Sequence, residues 1–224
     1  MTQAADWHAN ADAYLAYFED NPDRISTAKV FPRLMGLLAE LRGRRVLDFG
    51  CGQGRFSRAL AAAGAQVTAH DASPAEIANA RALGGDHAIT YAETLEEVRE
   101  AGPYDCVLCF IVLICNSEQE ADALLRTLHG LTASGGMVGL GNNTDTATIG
   151  RVWPDFYSTP PRQKERGAPY QSNIPTSAGL IQITDHYYTP EDISEMLVQA
   201  GFVDVVAEQV AEPFVIHTAR RPQA

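Results

Sequence analysis

Apolar and polar residues along this chain alternate between short, continuous apolar runs and longer amphipathic segments. The runs at 45–49, 66–70, 87–91, 105–111 and 136–141 are brief and centred on apolar residues, most fully at 105–111, as strands buried in a sheet are. Apolar residues recur at helical spacing in 55–63, 74–82, 93–100, 118–130 and 190–199. Two further runs, 203–210 and 213–219, lie close together, as an antiparallel pair would. Strand and helix in alternation predict an α/β fold, a doubly wound parallel sheet with helices on both faces and a ligand crevice at the carboxyl ends of its strands.

Two segments fall outside that alternation. Within 6–40, Trp7, Ala11, Tyr14 and Phe18 recur at helical spacing, which predicts a helix that packs an apolar stripe on the core or lies over a pocket. Residues 142–187 show little periodicity and are rich in proline, aromatic and polar residues, including Trp153, Tyr157 and Tyr170. A stretch this long is functional or disordered, and its aromatic content argues against disorder. Placed after the fifth strand, it would roof the sheet as a substrate cap. The chain is expected to form one domain over 1–224, with a core at 41–141 and a final helix and antiparallel strands at 188–224.

The densest signal is Val46-Leu47-Asp48-Phe49-Gly50-Cys51-Gly52-Gln53-Gly54-Arg55. Glycines at alternate positions between a strand and a helix let a ligand approach the backbone, and the helix points free N–H groups at it. Asp71 ends the next strand, where a carboxylate can accept both hydroxyls of a ribose. The dinucleotide fingerprint G-x-G-x-x-G fails in both registers, because position 55 is Arg and position 57 is Ser.

The pattern Asp48-x-Gly50-x-Gly52-x-Gly54 resembles motif I of the class I S-adenosylmethionine-dependent methyltransferases. Asp71-Ala72-Ser73-Pro74-Ala75-Glu76-Ile77 resembles the family's acidic residue and the helix after it. Tyr104 through Phe110 resembles its fourth strand, and Ser134-Gly135-Gly136-Met137-Val138 its turn into the fifth. Tyr188-Thr189-Pro190-Glu191-Asp192-Ile193 through Ala200-Gly201-Phe202 resembles its late helix. The resemblance implies a Rossmann-like, seven-stranded sheet with a reversed last strand, S-adenosylmethionine as cofactor and S-adenosylhomocysteine as product. It also implies that 1–40 is a helical lid.

On the same resemblance, Gly50, Gly52 and Gly54, with Cys51 between them, lie against the methionine and ribose. Asp48 braces the turn or meets the amino group, and Asp71 with Ala72 holds the ribose. Ala92 and Glu93 fall near the adenine, and Phe110 near the methionine amine. Methyl transfer from a sulfonium asks mainly for alignment and exclusion of water. Related small-molecule enzymes often carry a Glu-His pair after the fourth strand; Ile114-Cys115-Asn116 stands there instead, which argues against quinone-type O-methylation. His186 and Tyr14 are the candidate catalytic residues, and Tyr17, Trp153, Tyr157 and Tyr188 the candidate substrate contacts.

A net charge of −11 speaks against nucleic acid as a partner. No signal peptide, membrane span or metal constellation is legible. Cys106 and Cys109 are three apart on a strand and face opposite sides of the sheet, so they are read as reduced, buried thiols suited to the cytoplasm. The expected function is methyl transfer to nitrogen or oxygen of a small, heteroaromatic or secondary-metabolite substrate by a monomer or homodimer. The rivals are a cofactor-binding sensor or assembly protein and, less favoured, an NAD-dependent dehydrogenase.

Overall fold

The computed structural model describes residues 3–21, 26–38, 40–85, 88–143, 150–153, 156–158, 164–177 and 179–223; of 3–6, 20, 150–153 and 156–158 only the backbone is described. Two helices come first, α1 (Gln3–Asp20) and α2 (Phe31–Leu37). Strands β1 (Arg45–Phe49), β2 (Gln66–His70), β3 (Ile89–Ala92), β4 (Tyr104–Phe110) and β5 (Thr132–Asn143) then alternate with α3 (Arg55–Ala62), α4 (Pro74–Leu83), α5 (Leu95–Ala101) and α6 (Glu118–Leu131). A second group of strands follows: β6 (Gly150–Trp153), β7 (Phe156–Ser158), β8 (Pro169–Thr176) and β9 (Gly179–His186). Helix α7 (Pro190–Gln199) and strands β10 (Val203–Ala211) and β11 (Phe214–Arg220) complete the chain.

The main sheet has seven strands in the order β10-β11-β5-β4-β1-β2-β3. Strands β1 to β5 are parallel, whereas β11 runs antiparallel to both β5 and β10. This is the doubly wound, Rossmann-like architecture with its reversed last strand. Side chains on β4 alternate between the faces: Cys106, Leu108 and Phe110 pack with Leu34, Leu38 and Leu60, while Val107 and Cys109 pack with Val98, Leu125 and Leu197. Cys106 and Cys109 thus lie on opposite sides of the sheet, and both are buried free thiols. Burying a leucine such as Leu34 contributes roughly 1.5–3 kcal/mol, and the many such residues on both faces hold the layers together.

Local chemistry fixes the helix starts. Thr94 with Glu97, Ser117 with Glu120, and Thr189 with Asp192 form reciprocal capping boxes on α5, α6 and α7, satisfying backbone N–H groups a helix leaves open.

Several expected boundaries shift by a residue or more, two strands most clearly. The third strand covers 89–92 rather than 87–91, and β5 begins at Thr132 directly after α6 instead of at 136. The larger correction concerns 142–187. The aperiodic stretch contains a four-stranded antiparallel sheet, in the order β6-β7-β8-β9. Its period-two pattern is masked because polar Ser172 and Asp185 occupy inward positions beside Tyr170, Ile174, Ile181 and Ile183. Helix α1 packs on this second sheet through Tyr17 and on α4, where Asn79 Nδ2 donates to Asp12 Oδ1 at 3.4 Å.

Candidate functional site

The carboxyl ends of β1 and β2 are laced into one unit. Gly50 and Cys51 donate backbone N–H bonds to the His70 carbonyl at 2.7 and 2.9 Å. Asp71 accepts from the N–H of Gly52 through Oδ2 and from that of Ser73 through Oδ1, both at 2.9 Å. Each oxygen keeps lone-pair capacity for a further donor. The cap of α4 is Ser73, whose Oγ accepts from the Glu76 N–H, so Asp71 is left to the turn and whatever lies above it. Burial holds the Asp71 carboxyl above the usual carboxylate range despite those two bonds.

The turn needs its glycines for two reasons. Gly50 has φ +76°, and a Cβ there would run into Val112 of the loop after β4. Gly54 has φ +75°, and its Cβ would stand 3.1 Å from that of Ala80, so it allows α3 and α4 to approach. Ile111, just after β4, takes φ +55° without being glycine, and its N–H donates to Gly141 at 2.7 Å. Such backbone costs of order 1–3 kcal/mol and clusters at functional sites.

Between these turns, the loop after β4 and α1 lies a cavity of about 530 Å³. Gly50, Cys51, Gly52, Asp71, Ala72, Glu93 and Phe110 line it, and so does Tyr14 from α1. Three other expected cofactor residues do not. Asp48 lies beneath the turn and accepts from Ser57 Oγ at 2.5 Å, bracing β1 to α3; burial pushes its carboxyl up to about 6. Gly54 serves the helix approach just described. Ala92 is buried, and its carbonyl meets His70 Nδ1 at 2.9 Å.

The expected catalytic and substrate residues need more correction. Tyr17 does not line the cavity; it is buried against Ile174, Ile181 and Ile183 because it sits three residues round the helix from Tyr14. Tyr188 is a core residue whose hydroxyl donates to the Asn116 carbonyl at 2.8 Å. His186 ends β9 at its half-buried edge and does not line the cavity either, and burial lowers its imidazole pKa, since desolvation opposes the cation. Trp153 and Tyr157 stand on β6 and β7, and their side chains lie outside the described residues.

Several lining residues escaped the sequence reading. Trp7 and Phe18 reach the cavity from the stripe of α1 that holds Tyr14, and both rings meet Tyr14 edge-on at 4.8 Å. Helical spacing signalled this stripe without saying what it covers. Cys115 and Asn116 also line the wall; behind Cys115, fully buried Asp185 accepts from Ser172 Oγ at 2.6 Å. Nothing in the sequence places Asp185 there, because the contact joins positions 70 residues apart.

S-adenosylmethionine fits this donor set. The volume lies within the range of about 300–1,000 Å³ typical of ligand pockets. A glycine turn without side chains faces Asp71, suited to a diol, and Arg55 at the wall supplies a cation for a carboxylate. Two buried polar groups in the wall, the Glu76 carboxyl oxygens and Gln53 Nε2, have no hydrogen-bond partner among the described residues. The aromatic side chains of α1 suit a sulfonium, since ring faces attract cations.

A family model described as a methyltransferase domain matches residues 46–136, the segment from β1 to the start of β5. The N-demethylindolmycin N-methyltransferase of Streptomyces griseus is 26% identical over 174 residues, covering 75% of this chain and 73% of that protein. The ubiquinone biosynthesis O-methyltransferase of Bordetella avium is 36% identical over 107 residues, covering 46% of this chain and 44% of that enzyme, so the chain matches under half of its length. The fold is that of Burkholderia thailandensis 1,6-didemethyltoxoflavin-N1-methyltransferase, solved with its substrate and S-adenosylhomocysteine: TM-score 0.62, 20% identity, covering 98% of this chain and 89% of that one. With its glycine turn, its Asp71 and its strand order, this chain has the fold of the class I S-adenosylmethionine-dependent methyltransferases, and residues 46–136 match a methyltransferase domain.

Proposed function

We propose that the chain transfers a methyl group to a nitrogen or oxygen atom of a small, heteroaromatic secondary metabolite, as a cytoplasmic monomer or homodimer. The observation that carries this reading is one cavity lined both by the glycine turn with Asp71 and by the Trp7, Tyr14 and Phe18 rings of α1. Relatives named for N-methylation of indolmycin and toxoflavin precursors support it. The absence of a Glu-His pair after β4 favours nitrogen over a quinone-type hydroxyl.

Bound S-adenosylmethionine supplies a methyl group on positively charged sulfur, a leaving group already activated. Asp71 and the backbone around Gly50 and Gly52 then hold the nucleoside. Arg55 faces the carboxylate. The α1 rings hold a flat acceptor and exclude water, so reaction rests on alignment in a dry site. Tyr14 positions the acceptor through its ring and hydroxyl. In this reading α1 is the lid, and the second sheet is the cap that supports it through Tyr17.

The test is product analysis with a panel of heteroaromatic amines and phenols, locating the methyl group by NMR. Turnover of any member with methyl on nitrogen or oxygen supports the reading. Tight binding of S-adenosylhomocysteine with no turnover across the panel favours a sensor or assembly role, and binding of NAD in its place would favour a dehydrogenase.

A further inference from the structure

Glu76 has no task in the site described so far. It lies in the first turn of α4, is 3% exposed, and neither carboxyl oxygen has a hydrogen-bond partner among the described residues. It nevertheless lines the cavity. Its Oε2 comes within 3.8 Å of where a Cβ on Gly52 would stand, beside the N–H that Gly52 gives to Asp71. A buried carboxyl group left without partners costs several kcal/mol if ionised, and persists where a ligand completes it. Gln53 Nε2, equally without a partner, shares the wall.

We propose that Glu76 binds the nucleoside as a neutral carboxylic acid, donating a hydrogen bond that complements the acceptor Asp71. Asp71 is already turned by two backbone donors into an acceptor for hydroxyl groups. A second ionised carboxylate beside it would face the same lone-pair-rich ligand with nothing to give, whereas a neutral acid presents an O–H. The groups acting on Glu76 are Asp71 at the end of β2 and Asp12 on α1; Cys51 of the turn interacts with Asp48, Asp71 and Glu76. Burial first, then Asp71 and Asp12, push the Glu76 carboxyl up to about 8, so the donor form prevails at neutral pH. This inference rests on the methyltransferase reading of the cavity.

Calorimetric titration from pH 6.5 to 9 tests it. The probes are S-adenosylhomocysteine and 5′-methylthioadenosine, which keeps the nucleoside but has no amino group to titrate. Wild-type affinity for methylthioadenosine should fall about tenfold over that range, the worth of one hydrogen bond lost on ionisation. Glu76→Gln, which keeps an N–H donor and the shape, should hold its affinity within about threefold at every pH. Glu76→Leu should bind about tenfold more weakly at pH 6.5 and show no pH dependence. A pH-independent wild type, a Glu76→Gln variant that keeps the wild-type slope, or a Glu76→Leu variant of wild-type affinity would each overturn the proposal. Wild-type protein that binds neither probe would instead overturn the cofactor reading, which separates the two failures.

Discussion

Single residues at this site divide into those that meet the ligand and those that hold the residues that do. On the proposed reading Asp71 is in the first group, and Asp71→Ala should weaken S-adenosylhomocysteine about 100-fold, the value of hydrogen bonds to a charged group; calorimetry reads it directly. Gly50→Ala should lower stability by at least about 1–2 kcal/mol, because its φ of +76° disfavours any side chain and Val112 occupies the space. Glu76 gives a pH signature to the ligand-free protein. Its folded pKa of about 8 lies above the unfolded carboxyl value, so its contribution is full below the unfolded pKa and is lost as pH rises to about 8. Lowering pH from 8.5 to 7 should therefore raise Tm by about 2–4 °C, and Glu76→Gln should remove that rise; a scanning melt decides it. Asp71 and the turn were legible in the sequence because strand, glycines and acid lie within 26 positions of one another. Glu76 belongs to the same stretch of sequence, yet its orphaned burial depends on contacts from α1 and the turn.

At the scale of elements, α1 shows what periodicity conveys and what it withholds. Spacing predicted the helix and its aromatic stripe, but of the two tyrosines, whose rings stack at 6.3 Å, Tyr14 lines the cavity while Tyr17 is buried among the isoleucines of the second sheet. Tyr17→Ala should cost about 3 kcal/mol of stability by opening a cavity among Ile174, Ile181 and Ile183, measurable by urea unfolding. Tyr14→Ala should leave Tm within a few degrees and raise the acceptor KM about tenfold or more, since its ring faces the cavity. The opposite pattern would exchange their roles. The second sheet was missed for a related reason. Its inward Ser172 and Asp185 satisfy each other, so hydrophobic alternation is broken where two polar residues pair across strands. Arg166 reinforces the join between this sheet and the core, with Glu118 at 2.9 Å and Glu195 at 3.7 Å, contacts that join separate helices and carry no local sequence signature.

In the whole molecule the cavity lies where the main sheet meets α1, so ligand should tie the two together. S-adenosylhomocysteine at about 100 times its Kd should add about 2.7 kcal/mol of stability and raise Tm by about 5–10 °C, whereas NAD at the same concentration should not; thermal melts with each distinguish them. The alternation of strand and helix, the glycine turn and the carboxylate after β2 were determined by the sequence alone, because each depends on residues close in the chain whose spacing repeats the period of a strand or helix. Which tyrosine reaches the cavity, that β6 to β9 form a second sheet, that His186 stays at its edge and that Glu76 stands without a partner among the described residues were decided only by tertiary structure. Those properties depend on contacts between residues tens of positions apart, and the burial they create is a property of the closed fold and of no segment within it.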